Sequence, residues 1–409
     1  MKVPLCQQND DPLQKLREKI GRKNLNFTFR KLEVKEVERI MQKMKKTRAC
    51  GLDGISTDLL RPVIHTLAPV LTIIVNDSLQ EGKFPECFKC ARVTGVYKGK
   101  GSQSDPSNYR PISNLPVFGK IHEIAVDVQL RKFCEKHDLF GIQQNGFRKC
   151  RSTTTALLTA TINWRANRER KKYQGILLFD LSAAYDMLSK EIFLEKAAIC
   201  GIKGAALKWL ESYLTGRSQV VAIGEEVSSI IHLDNGTPQG SSCSCLVFAL
   251  FVGDASLWTC ECLMIAFADD TFITVVADTR EELIKKLEIY GERVLSFFSS
   301  NRMVANPGKT GLLVLRPMGS NVQKSKVEIR LGDATVHESD VEKLLGVQIQ
   351  SNLKWNEQTK KVKAEFSAPT PPANSGKERL ENDRERHFHV TATVCLACLW
   401  ICNTKIKRN

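Results

Sequence analysis

Two aspartates, Asp269 and Asp270, stand side by side inside MIAFADDTFITVV, between apolar runs rich in aliphatic, aromatic and β-branched residues. Such flanks suit strands, and the acidic pair falls at their connection, where turn residues belong. A solvated hairpin tip is one reading. Adjacent like charges repel, however, and a neutral residue would serve an ordinary turn better. Carboxylate oxygens are the ligands Mg²⁺ prefers, which makes the pair a candidate metal site as well. Asp180 ends a second short apolar run, residues 176–179, so two strand ends carry carboxylates. If those strands are neighbours in one sheet, Asp180 and Asp269 can converge on two divalent ions. Ions about 3.5–4 Å apart clamp an in-line attack at phosphorus, one activating a 3′-hydroxyl and the other neutralising a leaving pyrophosphate.

Three further stretches fit that chemistry. In NGTPQGSS, Gly236, Pro238 and Gly240 fall within a short loop that lets backbone approach a nucleotide closely, with Gln239 supplying amide hydrogen bonds. Gly/Pro loops more often only turn the chain. In NPGKTGLLVL, Lys309 precedes an apolar strand, where it could protonate or neutralise a departing pyrophosphate, although most loop lysines are merely solvated. In VYKGKGSQSDPSNYRPIS, Lys98, Lys100 and Arg110 offer a grip for a triphosphate.

Elements must hold these residues in place. VKEVERIMQKMKK sets Val34, Val37, Ile40, Met41 and Met44 on one helical face. Helical patterns recur over residues 119–136, 152–170 and 204–216, and again after Ser189, with Gly201 past the end of that helix. SQVVAIGEEVSSIIHL reads as a hairpin closed around Gly224. Thr279 and Glu282 form a capping box ahead of a helix striped by Leu283, Leu287, Val294 and Phe298. Strands and helices alternate irregularly, which predicts an α+β plan with an antiparallel-containing sheet and helices on one face.

The 409 residues allow two or three domain-sized units, and 42% hydrophobic with 26% charged residues is ordinary for a globular protein. A net charge of +15 suits a polyanionic partner, nucleic acid ahead of an anionic membrane. No secretory leader is apparent, so the 14 cysteines read as reduced, mostly small core residues of an intracellular protein, nuclear or cytoplasmic. Cys395 and Cys398 have zinc-like spacing with no histidine following them, and the apolar run 390–402 is too short for a bilayer span. From about Ser367 the chain turns Pro-rich and then densely charged, which reads as linker or disorder.

The motifs GLDGISTDLL, NYRPISNLP, NGFRKCRSTTTALL, LLFDLSAAYDML, GIKGAALKWLESYLTGRSQVV, NGTPQGSS, FADD, NPGKT and LLGVQIQSNLKW occur in an order that resembles the reverse transcriptases of jockey-like retrotransposons lacking long terminal repeats. The resemblance covers residues 47–355, between a basic helical segment at 1–46 and an atypical tail at 356–409. It implies a right-hand polymerase with fingers, palm and a partial thumb, making DNA on an RNA template from a DNA primer and dNTPs. Two Mg²⁺ ions, or Mn²⁺, would be held by Asp180, Asp269 and Asp270. Tyr185 matches the bulky residue that walls off a ribose 2′-hydroxyl. Ala183 and Ala184 match positions whose amides meet the triphosphate. Gln239 and Gly240 match the nucleotide loop, Lys309 a general acid, and Lys98, Lys100 and Arg110 basic fingers positions. Where the family continues with a Leu-Gly-Pro turn, this chain has Cys243, Ser244 and Cys245, a departure expected to disturb the start of the next helix. Two other readings share these features: a catalytically inactive relic that still binds nucleic acid, and an RNA-directed RNA polymerase sharing the palm, against which Tyr185 speaks.

Overall fold

A computed structural model describes residues 13–99, 101–181, 184–224, 226–259, 261–305, 307–317 and 325–367. Lys100, Ala183 and everything expected of the tail after residue 367 lie outside those residues. The helices are α1 (Gln14–Ile20), α2 (Val34–Lys43), α3 (Thr57–Leu60), α4 (Ile64–Glu81), α5 (Val117–Lys136), α6 (Thr153–Glu169), α7 (Lys190–Ile199), α8 (Gly204–Leu214), α9 (Ser242–Phe251), α10 (Arg280–Ser300) and α11 (Asn356–Ser367). Strands β1 (Cys90–Tyr97), β2 (Tyr109–Asn114), β3 (Tyr173–Phe179), β4 (Arg217–Ile223), β5 (Glu226–Val227), β6 (Ile231–Leu233) and β7 (Leu263–Phe267) are followed by β8 (Asp270–Ala277), β9 (Gly311–Leu315), β10 (Glu328–Leu331), β11 (Ala334–Ser339), β12 (Val341–Leu344) and β13 (Val347–Gln350).

Among the described residues the strands form three sheets. The larger has the order β10-β11-β9-β3-β8-β7, antiparallel except for the β11–β9 pair. A second joins β2, β1, β4 and β5, with β6 also on β4, and β12 and β13 pair alone. The hairpin expected around Gly224 is β4–β5.

Alternation along β3 decides what covers the larger sheet. Leu177 and Phe179 join the main apolar cluster with α10 residues Leu283, Leu287, Val294 and Phe298. Ile176 points the other way and packs with Ala156, Leu157 and Trp164 of α6 and with Leu344, Val347 and Ile349. The Trp164 indole N–H also donates to Thr274 Oγ1 on β8 at 2.8 Å. Helices therefore lie on both faces, which corrects the one-face expectation. Buried β3 residues on both sides of the strand are the reason.

The main cluster also takes in Leu16, Ile20, Phe27, Leu32, Val37 and Met41, so the N-terminal helices share the core of the rest. Thr279 accepts from Glu282 N as the α10 cap, while the Glu282 side chain reaches one residue further back, to Asp278 N at 2.9 Å. Among the described residues one stretch, Thr57–Glu81, is long and apolar enough to cross a bilayer. It is two-sided: Ala68, Leu71, Val75 and Leu79 are buried, whereas Val70, Ile73 and Ile74 face outward. Cys134, Cys200 and Cys243 are buried, while Cys87 and Cys150 are exposed, so the core role holds for only part of the set. Burial pushes the Cys200 thiol up to about 12, which keeps it protonated and unreactive.

Candidate active site

The β3–β8 register brings the acids together. Phe179 pairs with Thr271, and the same register one residue further sets Asp180 opposite Asp270. Directly opposed residues in an antiparallel pair have Cβ atoms about 5 Å apart. Phe267 pairs with Asp270, so Ala268 and Asp269 alone form the β7–β8 turn. All three aspartates are open to solvent. Crowding by nearby protein atoms, which strips part of its water, then the charges of Asp269 and Asp180, push the Asp270 carboxyl above its ordinary range, and Lys343 on β12 pulls it back.

Lys309 lies with this cluster, its Nζ 3.9 Å from Asp180 Oδ2. The reason is local pairing: Leu181 bridges antiparallel to Ala305, which draws the loop before β9 alongside the end of β3. Both charged groups are exposed, and such a pair contributes little to stability by itself.

Like charges gathered at one sheet end, with hard oxygen donors open to solvent, fit a divalent cation. Among the described residues no three His, Cys, Asp or Glu side chains already stand as a metal cage. Mg²⁺ commonly ligates through one or two carboxylates plus substrate phosphates, so an open acidic edge suits it better than a closed cage.

The raised Asp270 carboxyl has a consequence for stability. The folded chain binds that proton more tightly than the unfolded chain, so ionised Asp270 costs stability above its folded pKa. The cost fades as pH falls from that raised value towards the ordinary aspartate range, and is absent below it. Asp270→Asn should therefore raise the thermal midpoint in metal-free buffer at pH 7, by about 1–2 °C. The gain should vanish in melts run at progressively more acid pH.

Tyr185 sits beside the acids. Its ring stacks on Phe248 of α9, centroids 4.7 Å apart at 26°. Its hydroxyl is buried and has no hydrogen-bond partner among the described residues. Burial, then Cys245 and Asp269, push its pKa far up, so the group stays neutral. Ala184 beside it is buried.

Loop 235–240 is laid along the Tyr185 segment by main-chain bonds, Thr237 N to Tyr185 O at 2.9 Å and Gly236 N to Leu188 O at 3.1 Å. A side chain at Gly236 would strike Asp186 Cα at 2.7 Å, and the residue has φ +82°, so glycine is required there. Gln239 is half-buried; its Nε2 faces the Asp186 carboxylate at 3.3 and 3.4 Å, and its carbonyl accepts from Ser113 N of β2 at 2.9 Å. Gly240 is exposed, with φ +110°.

The next helix begins without disturbance, contrary to what Cys243–Cys245 suggested. Ser241 caps α9, its Oγ accepting from Cys243 N at 3.1 Å and Ser244 N at 3.2 Å. The same hydroxyl donates to Glu123 Oε2 of α5 at 2.7 Å and meets Tyr213 Oη of α8 at 2.7 Å. Burial raises the Glu123 carboxyl, while Arg217 and the Ser241 bond hold it down. Ser241→Ala removes the cap, takes the hydroxyl donor from buried Glu123 Oε2 and leaves Tyr213 Oη with Ser244 Oγ at 3.2 Å. It should cost about 1–2 kcal/mol, read as a lower thermal midpoint.

The basic grip is only partly assembled. Lys98 donates to Ser107 O at 2.7 Å within its own loop, so it is engaged in shaping that loop. Arg110 is exposed on β2, three residues before Ser113, the residue tied to Gln239. Sequence reasoning passed over Asp186 and Lys343. Asp186 had a signal, a charge directly after Tyr185 in an otherwise apolar AYDML; Lys343 had none, since only the fold brings β12 near the acids.

The reverse transcriptase (RNA-dependent DNA polymerase) family matches residues 98–358. The chain is 27% identical over 288 residues to a putative 115 kDa protein in type-1 retrotransposable element R1DM of Drosophila melanogaster, covering 67% of this chain and 27% of that protein. It is 21% identical over 338 residues to a probable RNA-directed DNA polymerase from transposon X-element of the same fly, covering 81% and 37%. It is 25% identical over 271 residues to the RNA-directed DNA polymerase from mobile element jockey of Drosophila funebris, covering 63% and 29%. The chain thus spans about a quarter to three-eighths of the length of these curated relatives. The expected likeness to jockey-type elements holds, and with more than half of its length matched, the chain belongs to the reverse transcriptase family.

Proposed function

We propose that this chain is an RNA-directed DNA polymerase, extending a DNA primer on an RNA template with dNTPs. The observation that supports it most is the β3–β8 register, which carries Asp180 to the side of the acidic turn with Lys309 beside it. In this reading the larger sheet is the palm, the β1–β2–β4 sheet belongs to the fingers, and the region after β11 opens the thumb. The polymerase domain runs over about residues 47–355.

Asp180, Asp269 and Asp270 would hold two Mg²⁺ ions, which when bound activate the primer hydroxyl and neutralise the departing pyrophosphate. Ala184 and the Gln239–Gly240 loop orient the triphosphate and base. Tyr185 occupies the volume that a 2′-hydroxyl would need. Lys309, within reach of Asp180, delivers a proton or positive charge to the pyrophosphate side. Arg110 contributes positive charge from the fingers strand.

The test is primer extension by the purified chain with RNA template, Mg²⁺ and either dNTPs or rNTPs. Extension with dNTPs is the expected result. Extension restricted to rNTPs would replace DNA by RNA as the product. Salt-sensitive binding without extension by either would leave only a nucleic-acid-binding relic.

A further inference from the structure

The turn that carries Asp269 is held in an unfavourable conformation by a residue far away in the chain. Ala268 has φ +58°, at the first position of a two-residue hairpin turn, where glycine is the favoured residue. Its amide does not point to solvent. Ala268 N donates to Gln144 Oε1 at 3.2 Å, and the same oxygen accepts from Gly146 N at 2.8 Å. Gln144 is fully buried. With two N–H donors converging on one side-chain atom, that atom must be the amide oxygen.

The backbone of the same segment runs as an added strand against the outer edge of β7. Gln144 bridges parallel to Ala266, Ala266 N donates to Gln143 O at 2.9 Å, and Asn145 N donates to Ala266 O at 2.7 Å. Gly146 completes the fit, because a Cβ there would meet Ala268 N at 2.4 Å. The segment is fixed from behind as well. Gln143 Nε2 donates to Gly253 O at 3.1 Å, and Arg148 Nη1 donates to Gly141 O at 2.7 Å.

We propose that Gln144 is a positioning residue for the acidic turn: its side-chain oxygen holds the Ala268 amide, and thereby fixes where the Asp269 and Asp270 carboxylates project. This inference rests on the reading of those acids as a metal site. It assigns Gln144 no contact with substrate. Residues that orient metal ligands from behind are commonly worth about 10–100-fold in metal affinity.

The experiment uses the full chain with Gln144→Met, which keeps length and removes the acceptor, and the double variant with Ala268→Gly, which removes the steric penalty of positive φ. Mn²⁺ binding is followed by electron paramagnetic resonance, alongside primer extension and thermal melts. Gln144→Met should weaken Mn²⁺ binding about tenfold and lower kcat about tenfold, with KM for dNTP within about twofold. The double variant should recover most of both losses. Unchanged Mn²⁺ affinity in Gln144→Met would overturn the proposal, as would a loss that tracks a collapsed melting transition and is not recovered by Ala268→Gly. If the unsubstituted chain extends no primer, the polymerase reading fails, yet the Mn²⁺ titrations still decide the role of Gln144.

Discussion

Asp180→Asn should lower primer extension by at least about a thousandfold, which is about 4 kcal/mol of transition-state stabilisation. The substitution preserves shape and volume and removes one negative charge from a group that pairs loosely with exposed Lys309, at 3.9 Å. Stability should therefore change little, because an exposed pair of this kind is worth at most about 1 kcal/mol. Large loss of activity with an unchanged melting midpoint is the signature of a residue that acts on charge in the reaction. Asp180 is open to solvent at the end of a rigid central strand, flanked by β8 and β9, so its carboxylate is fixed without being shielded. Amide oxygen is a poorer donor to a hard cation than carboxylate, and the amide N–H₂ cannot ligate at all. Extension undiminished in the asparagine protein would remove Asp180 from the site.

How far the sequence reached is clearest at these same residues. Asp180 and the Asp269–Asp270 pair were legible because each follows a short apolar run, and strand length with turn chemistry is local information. The expectations for Gln239, Gly240 and Tyr185 came from motif order, and main-chain bonds lay the loop along the Tyr185 segment. Gln144 was not found. Its contact with Ala268 spans 124 positions, and nothing in the local pattern of QQNGFR announces which amide it will meet. Lys98 shows the converse failure. A lysine in a Gly/Ser loop reads as a free cation, yet the loop folds back and Ser107 takes its ammonium. The covering of both faces of the larger sheet did leave a signal, since the unbroken apolar run 176–179 is what a strand buried on both faces shows, and the one-face expectation overlooked it. The mismatch at Cys243–Cys245 looked damaging because the family turn was missing. Ser241, two residues earlier, supplies the cap that matters.

Tyr185→Ala should narrow the preference for dNTPs over rNTPs by about 10–100-fold in kcat/KM, the range expected when a clash of about 1–3 kcal/mol is removed. The side chain is suited to act as a wall. Its ring lies flat on fully buried Phe248, its carbonyl accepts from Thr237 N, and Asp269 is close enough to act on its hydroxyl. A ring pinned on one face by an aromatic and at the backbone by a loop cannot swing aside when a 2′-oxygen arrives. The hydroxyl is a separate matter, because it is buried with no hydrogen-bond partner among the described residues. A polar group in that condition adds nothing to the wall and costs stability. Tyr185→Phe should therefore keep the discrimination that Tyr185→Ala loses, and its melting midpoint should equal or exceed that of the unsubstituted chain. Competition between dGTP and GTP on one RNA template separates the cases. If the alanine protein still rejects GTP as strongly, the ring is a core aromatic and the sugar is selected elsewhere. If the phenylalanine protein accepts GTP, selection resides in the hydroxyl and the steric account is wrong.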